Sequence, residues 1–163
     1  MPKLEMYYDY ACPYCKKGYE ILLTVLKNHP EVVVDWLPCE AHPRPEKWHI
    51  YSDLPAAGFY IARDLNADIH EYHKRMFQAA CVDKVDIEDI AVLEKVVSGL
   101  LDEKAFSDAL KSGSYLDQVK ENNRLAWEVY SFPAVPSFKY GEKLLPAQYL
   151  VGVTSMGLEE LLK

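Results

Sequence analysis

Residues 3–37 read KLEMYYDYACPYCKKGYEILLTVLKNHPEVVVDWL, and this stretch predicts a strand, a helix and a second strand. Residues 3–8 are a short aromatic-rich run, which is typical of a strand. From Tyr14 apolar residues recur at helical spacing, and the run ends at Asn28–Pro30. Residues 31–37 are almost continuously apolar, which favours a buried strand in a parallel sheet. The stretch therefore predicts a parallel β–α–β unit.

A helical block follows this unit. Residues from about 53 to 130 have helical periodicity, including one helix predicted over residues 86–101. Asp102 and Ser114 are residue types that cap helix N-termini, so we expect two further helices to begin there. The block lies within a predicted all-helical insertion at about residues 42–130.

Two short strands and a last helix complete the pattern. Residues 137–140 and 144–151 are extended in pattern, and residues 155–162 are amphipathic. The element order is therefore β–α–β, helical insertion, β–β–α. This order predicts an α/β fold around one central sheet, with residues 1–163 as a single domain.

The composition and the N-terminus exclude several classes of protein. The net charge of −7 excludes a general nucleic-acid surface, which needs basic residues facing the phosphates. No run approaches the roughly 18 continuous apolar residues of a membrane span. The first residues lack the parts of an export signal, so we expect a cytoplasmic protein. In a reducing compartment, four cysteines favour redox or metal chemistry over structural disulfides.

The tetrapeptide Cys12-Pro13-Tyr14-Cys15 lies where the first strand gives way to the helix. Unpaired N–H groups and the positive end of a helix stabilise a thiolate, so we expect the pKa of Cys12 to be lowered. Cys15 lies one turn further into the helix and is expected to be more sheltered. Pro13 suits the first helical turn because it has no N–H to leave unpaired. This arrangement predicts disulfide exchange with Cys12 as nucleophile and Cys15 as resolving thiol.

Other uses of the cysteines remain open at this level. A structural disulfide fits the same spacing, and so does half of a zinc site. The side chains that could complete such a site, or form a separate metal-binding module, are Cys39, His42, His70 and His73. Cys39 and Cys81 are expected to be small buried apolar side chains, with a second redox pair as the alternative. Because Pro13 and Tyr14 lead directly into a helix, the redox interpretation is favoured and no metal site is predicted.

The chain resembles the thioredoxin-fold disulfide oxidoreductases, specifically the DsbA-like branch that includes FrnE-type proteins. The resemblance rests on residues 8–15 (YDYACPYC) and residues 135–138 (VPSF). It implies a thioredoxin-like fold, a cis Pro136 that faces the dithiol, and a Val135 backbone that pairs with a substrate chain as an added strand. Pro13 and Tyr14 would contact the same substrate. The implied partners are protein thiols and disulfides, with no bound cofactor and with glutathione as an optional co-substrate.

The resemblance also defines what this chain lacks. Cys-Pro-Tyr-Cys is the usual glutaredoxin tetrapeptide, but about 120 residues separate Cys15 from Pro136, and the glutathione-binding Gly-Gly of glutaredoxins is missing. Many thioredoxin-fold enzymes bury an acid six residues before the first Cys, where this chain has Met6. The acceptor for the proton of Cys15 is therefore left open between water and Asp9.

One alternative function shares this fold and insertion. It is a glutathione-dependent isomerase or transferase of the kappa or 2-hydroxychromene-2-carboxylate type. Such enzymes usually have Ser at the position of Cys12 and need no second thiol, so the presence of Cys15 counts against this alternative.

Overall fold

A four-stranded mixed sheet lies at the centre of the computed structural model, which describes residues 1–163. The strand order is β2-β1-β3-β4. β1 pairs in parallel with β2 and antiparallel with β3, and β4 pairs antiparallel with β3. The strands are β1 (Leu4–Tyr8), β2 (Val34–Pro38), β3 (Ser137–Tyr140) and β4 (Lys143–Leu145).

Helix α1 joins the two parallel strands, and five helices lie between β2 and β3. Each of two helices in this insertion runs on into a π-helical turn, at Gln78–Val82 and Leu125–Val129. None of the helices is long and apolar enough to span a membrane. The helices are α1 (Pro13–Leu26), α2 (Asp53–Asp64), α3 (Ile69–Phe77), α4 (Ile90–Val96), α5 (Glu103–Lys111), α6 (Leu116–Arg124) and α7 (Ser155–Leu161).

The predicted α/β class and element order are confirmed, while several predicted bounds are wrong. β2 begins at Val34, because the preceding residues form a turn in which Val32 donates to the carbonyl of His29 (3.1 Å). The strand predicted over 144–151 is only Lys143–Leu145. Pro146 follows it and has no N–H to donate to a neighbouring strand.

Two helix starts also differ from expectation. The helix predicted over residues 86–101 is limited to Ile90–Val96, because the side chain of Asp89 caps its first turn by accepting from Ala91. Asp102 caps α5 as expected and accepts the N–H of Ala105. Ser114 is not a cap, because the chain enters α6 through Tyr115, whose φ is +67°.

An aromatic cluster joins the sheet and α1 to the insertion. Its rings lie at centroid distances of about 5–6 Å, mostly edge-to-face or tilted, which suits the quadrupoles of aromatic side chains. At its centre is His73, which is fully buried and lies 4.5 Å from the Trp36 ring. The members of the aromatic cluster are Tyr8, Tyr10, Tyr19, Trp36, Phe59, His73 and Phe77.

Candidate active site

The loop between β1 and α1 places Cys12 at the N-terminus of the helix. The carboxylate of Asp9 accepts the N–H of Ala11 (2.8 Å), and the carbonyl of Asp9 accepts the N–H of Cys12 (3.1 Å). Cys12 keeps an extended backbone, and its carbonyl accepts the N–H of Lys16 (3.1 Å). Its sulfur therefore lies at the positive end of the helix, where a thiolate is stabilised.

The two thiols of this loop differ in exposure and in proton affinity. Cys15 is completely buried, whereas Cys12 is partly exposed, and both are free thiols. The pKa of Cys12 is lowered, chiefly by a hydrogen bond with the Cys15 thiol and further by the backbone N–H groups of Cys15 and Tyr14. Burial raises the pKa of Cys15 well above its usual value, and the neighbouring Cys12 adds to this. The pair therefore combines one accessible thiolate with one sheltered thiol.

The segment Val135–Pro136 lies against this pair, 120 residues further along the chain. The peptide bond between the two residues is cis, and both side chains are buried. The carbonyl oxygen of Val135 lies 3.8 Å from the sulfur of Cys12. Among the residues predicted to bind substrate, Pro13 is exposed and Tyr14 is 40% exposed on the same first turn of α1. The six predicted site residues therefore lie together.

A cavity of about 520 Å³ opens beside Cys12. The β1–α1 loop forms one wall, and residues of the insertion form the others. The rings of His42 and Trp48 stack 3.5 Å apart on its rim. The polar and ionisable residues of the lining are Asp9, Cys12, His42, His49, Ser52, Cys81 and Lys84.

Asp9, which the sequence analysis named only as one alternative for the proton acceptor of Cys15, is buried between two loops beside the dithiol. It is only 5% exposed, and its second carboxylate oxygen accepts the N–H of Ala41 (2.8 Å) from the loop after β2. Burial raises the pKa of Asp9, while these N–H groups act in the opposite direction. The backbone N–H of Asp9 lies 3.4 Å from the sulfur of Cys15. An acidic residue directly after a strand and three positions before Cys12 was the available signal.

The side chains considered for a metal site are dispersed. His70 hydrogen-bonds the hydroxyl of Tyr19 (2.8 Å), and His73 hydrogen-bonds that of Tyr10 (2.9 Å). No group of three or more His, Cys, Asp and Glu side chains is placed to hold a metal ion. Cys39 is buried as expected.

Cys81 differs from the expectation of a fully buried side chain. It is only partly buried and lines the cavity, and its thiol donates to the carbonyl of Tyr10 (3.1 Å). Burial raises the pKa of Cys81 to about 12, so its thiol stays protonated.

Comparisons with known proteins agree with this fold. The family model of the DSBA-like thioredoxin domain matches residues 3–156. The chain is 28% identical over 179 residues to the uncharacterized protein YwbO of Bacillus subtilis (strain 168), and the match covers 88% of each chain.

Solved structures share the same fold at low sequence identity. A thioredoxin-like oxidoreductase from Silicibacter pomeroyi DSS-3 is 18% identical with a TM-score of 0.71, and the match covers 99% of this chain and 84% of that one. The cytosolic disulfide reductase DsbM from Pseudomonas aeruginosa, solved with GSH, is 18% identical with a TM-score of 0.67, and 88% of each chain is covered. With the family match over nearly its whole length, the chain belongs to the DsbA-like thioredoxin domain family of thiol–disulfide oxidoreductases.

Proposed function

We propose that this protein exchanges thiols and disulfides with protein substrates through Cys12 and Cys15. The observation that carries the proposal is the asymmetry of the pair. Cys12 is accessible and its pKa is lowered, whereas Cys15 is buried and its pKa is raised. Such a pair has one sulfur ready to attack and a second sulfur that reacts only after the first.

The exchange has two steps that balance in electrons and protons. The Cys12 thiolate attacks one sulfur of a substrate disulfide, and the other substrate sulfur leaves as a thiolate and takes up a proton. Cys15 then loses its proton and attacks the sulfur of Cys12, which releases the second substrate thiol. Two electrons pass from the dithiol to the substrate, and the Cys12–Cys15 disulfide remains.

An extended protein segment is the substrate that suits the surroundings of Cys12. The backbone of Val135 lies beside the sulfur of Cys12, and a short strand of substrate could pair with it. Pro13 and Tyr14 offer exposed apolar surface on the first turn of α1, directly after Cys12. We therefore assign these residues, with Pro136, to substrate binding.

A small thiol such as glutathione is the co-substrate that we propose for regenerating the dithiol. The cavity beside Cys12 supports this, because His42, His49 and Lys84 in its lining could pair with carboxylates. The relative DsbM, described as a cytosolic disulfide reductase and solved with GSH, supports a reducing role in the cytoplasm.

The same cavity supports a second candidate function, that of a glutathione-dependent isomerase or transferase. That reaction needs only the first thiol, so it should survive the substitution Cys15→Ser. Dithiol exchange should not survive it.

Reduction of insulin disulfides tests the main proposal. We expect Cys12→Ser to lose activity to the uncatalysed background, because no other thiol of the site is accessible and ionised. Cys15→Ser should accumulate mixed disulfides between Cys12 and substrate, visible by mass spectrometry and cleared by reductant. Cys39→Ala, which removes a buried thiol outside the cavity, is the control and should keep its activity. Full activity of Cys12→Ser would refute the proposal.

A further inference from the structure

Asp9 contacts the dithiol, yet the exchange described above does not use it. We infer that the carboxylate of Asp9, held near Cys12 and Cys15, shifts their equilibrium toward the disulfide and so makes the reduced protein a stronger electron donor than it would be without this charge. The inference rests on the proposed function, because it assigns a direction to that exchange.

The backbone of Asp9 fixes the residue beside the sulfur of Cys15 and the backbone of Cys12. Its N–H lies 3.4 Å from the sulfur of Cys15, and its carbonyl accepts the N–H of Cys12 at 3.1 Å. The side chain is buried and lines the cavity that Cys12 also lines. The carboxylate therefore cannot swing into bulk water, where its charge would be screened.

The hydrogen bonds of the side chain suit an ionised carboxylate. One oxygen accepts the N–H of Ala11 and the other accepts the N–H of Ala41, both at 2.8 Å. A protonated acid would carry an O–H on one of these oxygens, which would then be a weaker acceptor. The two N–H groups, one from each loop that meets at Asp9, therefore favour the charged form and oppose the burial that raises its pKa.

The groups around the carboxylate are mostly thiols and a second acid. Asp9 raises the pKa of Cys12, Cys15 and Cys39, although hydrogen bonds leave that of Cys12 lowered overall. From the other packed segments, the titratable groups that face Asp9 or share its cavity are Glu40, His42, His49, Cys81 and Lys84.

The direction of the effect follows from the charges of the two redox states. The reduced pair carries negative charge on Cys12 where this thiol is ionised, whereas the disulfide is neutral. A nearby carboxylate repels the thiolate and leaves the disulfide unaffected. It therefore shifts the equilibrium toward the disulfide, and the reduced pair gives up its electrons more readily.

The test is Asp9→Asn, which removes the charge and keeps the shape of the side chain. Two quantities are measured on the purified protein: thiolate absorbance against pH, and the equilibrium of the Cys12–Cys15 disulfide with reduced and oxidised glutathione. We expect the pKa of Cys12 to fall. The equilibrium constant for reduction by glutathione should rise about tenfold, which corresponds to about 30 mV in reduction potential.

Matched variants separate charge from packing. Asp9→Glu keeps the charge, and its equilibrium constant for reduction by glutathione should lie within threefold of the parent value. Asp35→Asn, on β2, removes a distant carboxylate and should change neither the Cys12 pKa nor this constant. Asp9→Ser also removes the charge, and it replaces Asp9→Asn in both measurements if the Asn variant does not fold. A folded, uncharged variant with an unchanged Cys12 pKa and equilibrium constant overturns the inference, even if its thermal stability falls.

Failure of the proposed function gives a different result. The absorbance titration requires only the reduced protein, and the glutathione equilibrium requires only that Cys12 and Cys15 form a disulfide with each other. A parent protein that forms this disulfide but does not reduce insulin refutes the proposed function and leaves the Asp9 test intact.

Discussion

Cys12 and Cys15 are separated by one helical turn, and that turn produces their different chemistry. The first residue is the N-cap, where unpaired N–H groups surround a partly exposed sulfur. The second faces the core and is completely buried. Proton affinity in this site is therefore set by position on the helix rather than by residue type.

The lowered pKa of Cys12 leads to a pH-dependent labelling experiment. We expect iodoacetamide to label the reduced protein at Cys12, with a midpoint pH below that of a free cysteine, because the thiolate is the reactive form. Labelling should slow as the pH falls through this midpoint. Cys15 should not react in the folded protein, since it is buried and its pKa is raised.

Peptide mapping by mass spectrometry measures both rates. Cys12→Ser is the control and should abolish the fast phase. Labelling of Cys15 at a rate similar to that of Cys12 would contradict the assignment of roles.

Glu40 is a second buried acid with a measurable consequence. Burial raises its pKa to about 7, and one of its carboxylate oxygens has no hydrogen-bond partner. The folded protein therefore keeps a proton that the unfolded chain releases between about pH 4.5 and pH 7, so Glu40 reduces stability as the pH rises through this range.

We expect the substitution Glu40→Gln to remove this loss. As the pH rises from 5 to 8, the parent should lose on the order of 1 kcal/mol more unfolding free energy than the variant. Urea denaturation at both pH values measures the difference. The exposed Glu128→Gln serves as the control, and a pH-independent difference between Glu40→Gln and the parent would contradict the expectation.

The positions of the two cysteines, one at the helix N-cap and one buried, could be predicted from the sequence, because they depend on local features. A Cys-x-x-Cys pair at a predicted helix start specifies the N-cap position and the buried position without knowledge of the rest of the fold. The role of Asp9 depends on Ala41, which approaches only when β2 pairs with β1. The sequence alone could not provide this contact, nor the cavity that the insertion forms around it.

Helix α1 and the loop that contains Pro136 form one closely packed unit at the level of elements. A Cβ atom on Gly18 would lie 2.9 Å from the Cγ of Pro136 and 3.2 Å from the Cγ1 of Val153. The absence of a side chain at Gly18 therefore allows α1 to approach the Pro136 loop. The position of Cys12 relative to Val135 depends on this approach.

The substitution Gly18→Ala tests the packing of this unit. In an exposed helix it would stabilise the protein by up to about 1 kcal/mol, but here the contact with Pro136 should make it destabilising by about 1–3 kcal/mol. Thermal denaturation measures the change, and Lys17→Ala, at an exposed position of the same helix, is the control. Increased stability of Gly18→Ala would contradict the close approach.

The order of the strands and helices could be predicted from the sequence. The errors in the prediction concern the ends of these elements, which depend on tertiary contacts. Hydrophobic periodicity predicted the strand–helix–strand unit, the insertion and the last helix. It could not predict that the chain leaves β4 at Leu145 and then turns, closing an isolated bridge between Gln148 and Gly152. Residues 144–151 are apolar enough for a strand, but only Leu144 and Leu145 among them pair with β3.

At the scale of the whole molecule, the aromatic cluster couples the insertion to the sheet. His73 is its most sensitive member, because it is a buried imidazole whose pKa is lowered well below the usual value by burial. As the pH falls below about 6.5, the unfolded chain binds a proton that the folded protein does not. Acidification therefore destabilises the protein through this residue.

We expect the substitution His73→Gln to remove this acid sensitivity. Between pH 6.5 and pH 5.5 the parent should lose up to about 1 kcal/mol more unfolding free energy than the variant. Urea denaturation at the two pH values measures the difference, with the exposed His49→Gln as the control. An equal loss in the parent and in His73→Gln would show that His73 is protonated in the folded state.

The place of β1 in the sheet affects the growing chain. β1 is synthesised first, but one of its two neighbours is β3, which ends at Tyr140. While the ribosome adds the helical insertion, one edge of β1 remains unpaired, and Cys12 and Cys15 lack the Val135–Pro136 wall. About 120 residues must be added after Cys15 before Val135 is made, so the dithiol is without its final surroundings for most of the synthesis. The active site is therefore completed only when β3 pairs with β1, after most of the chain has been made.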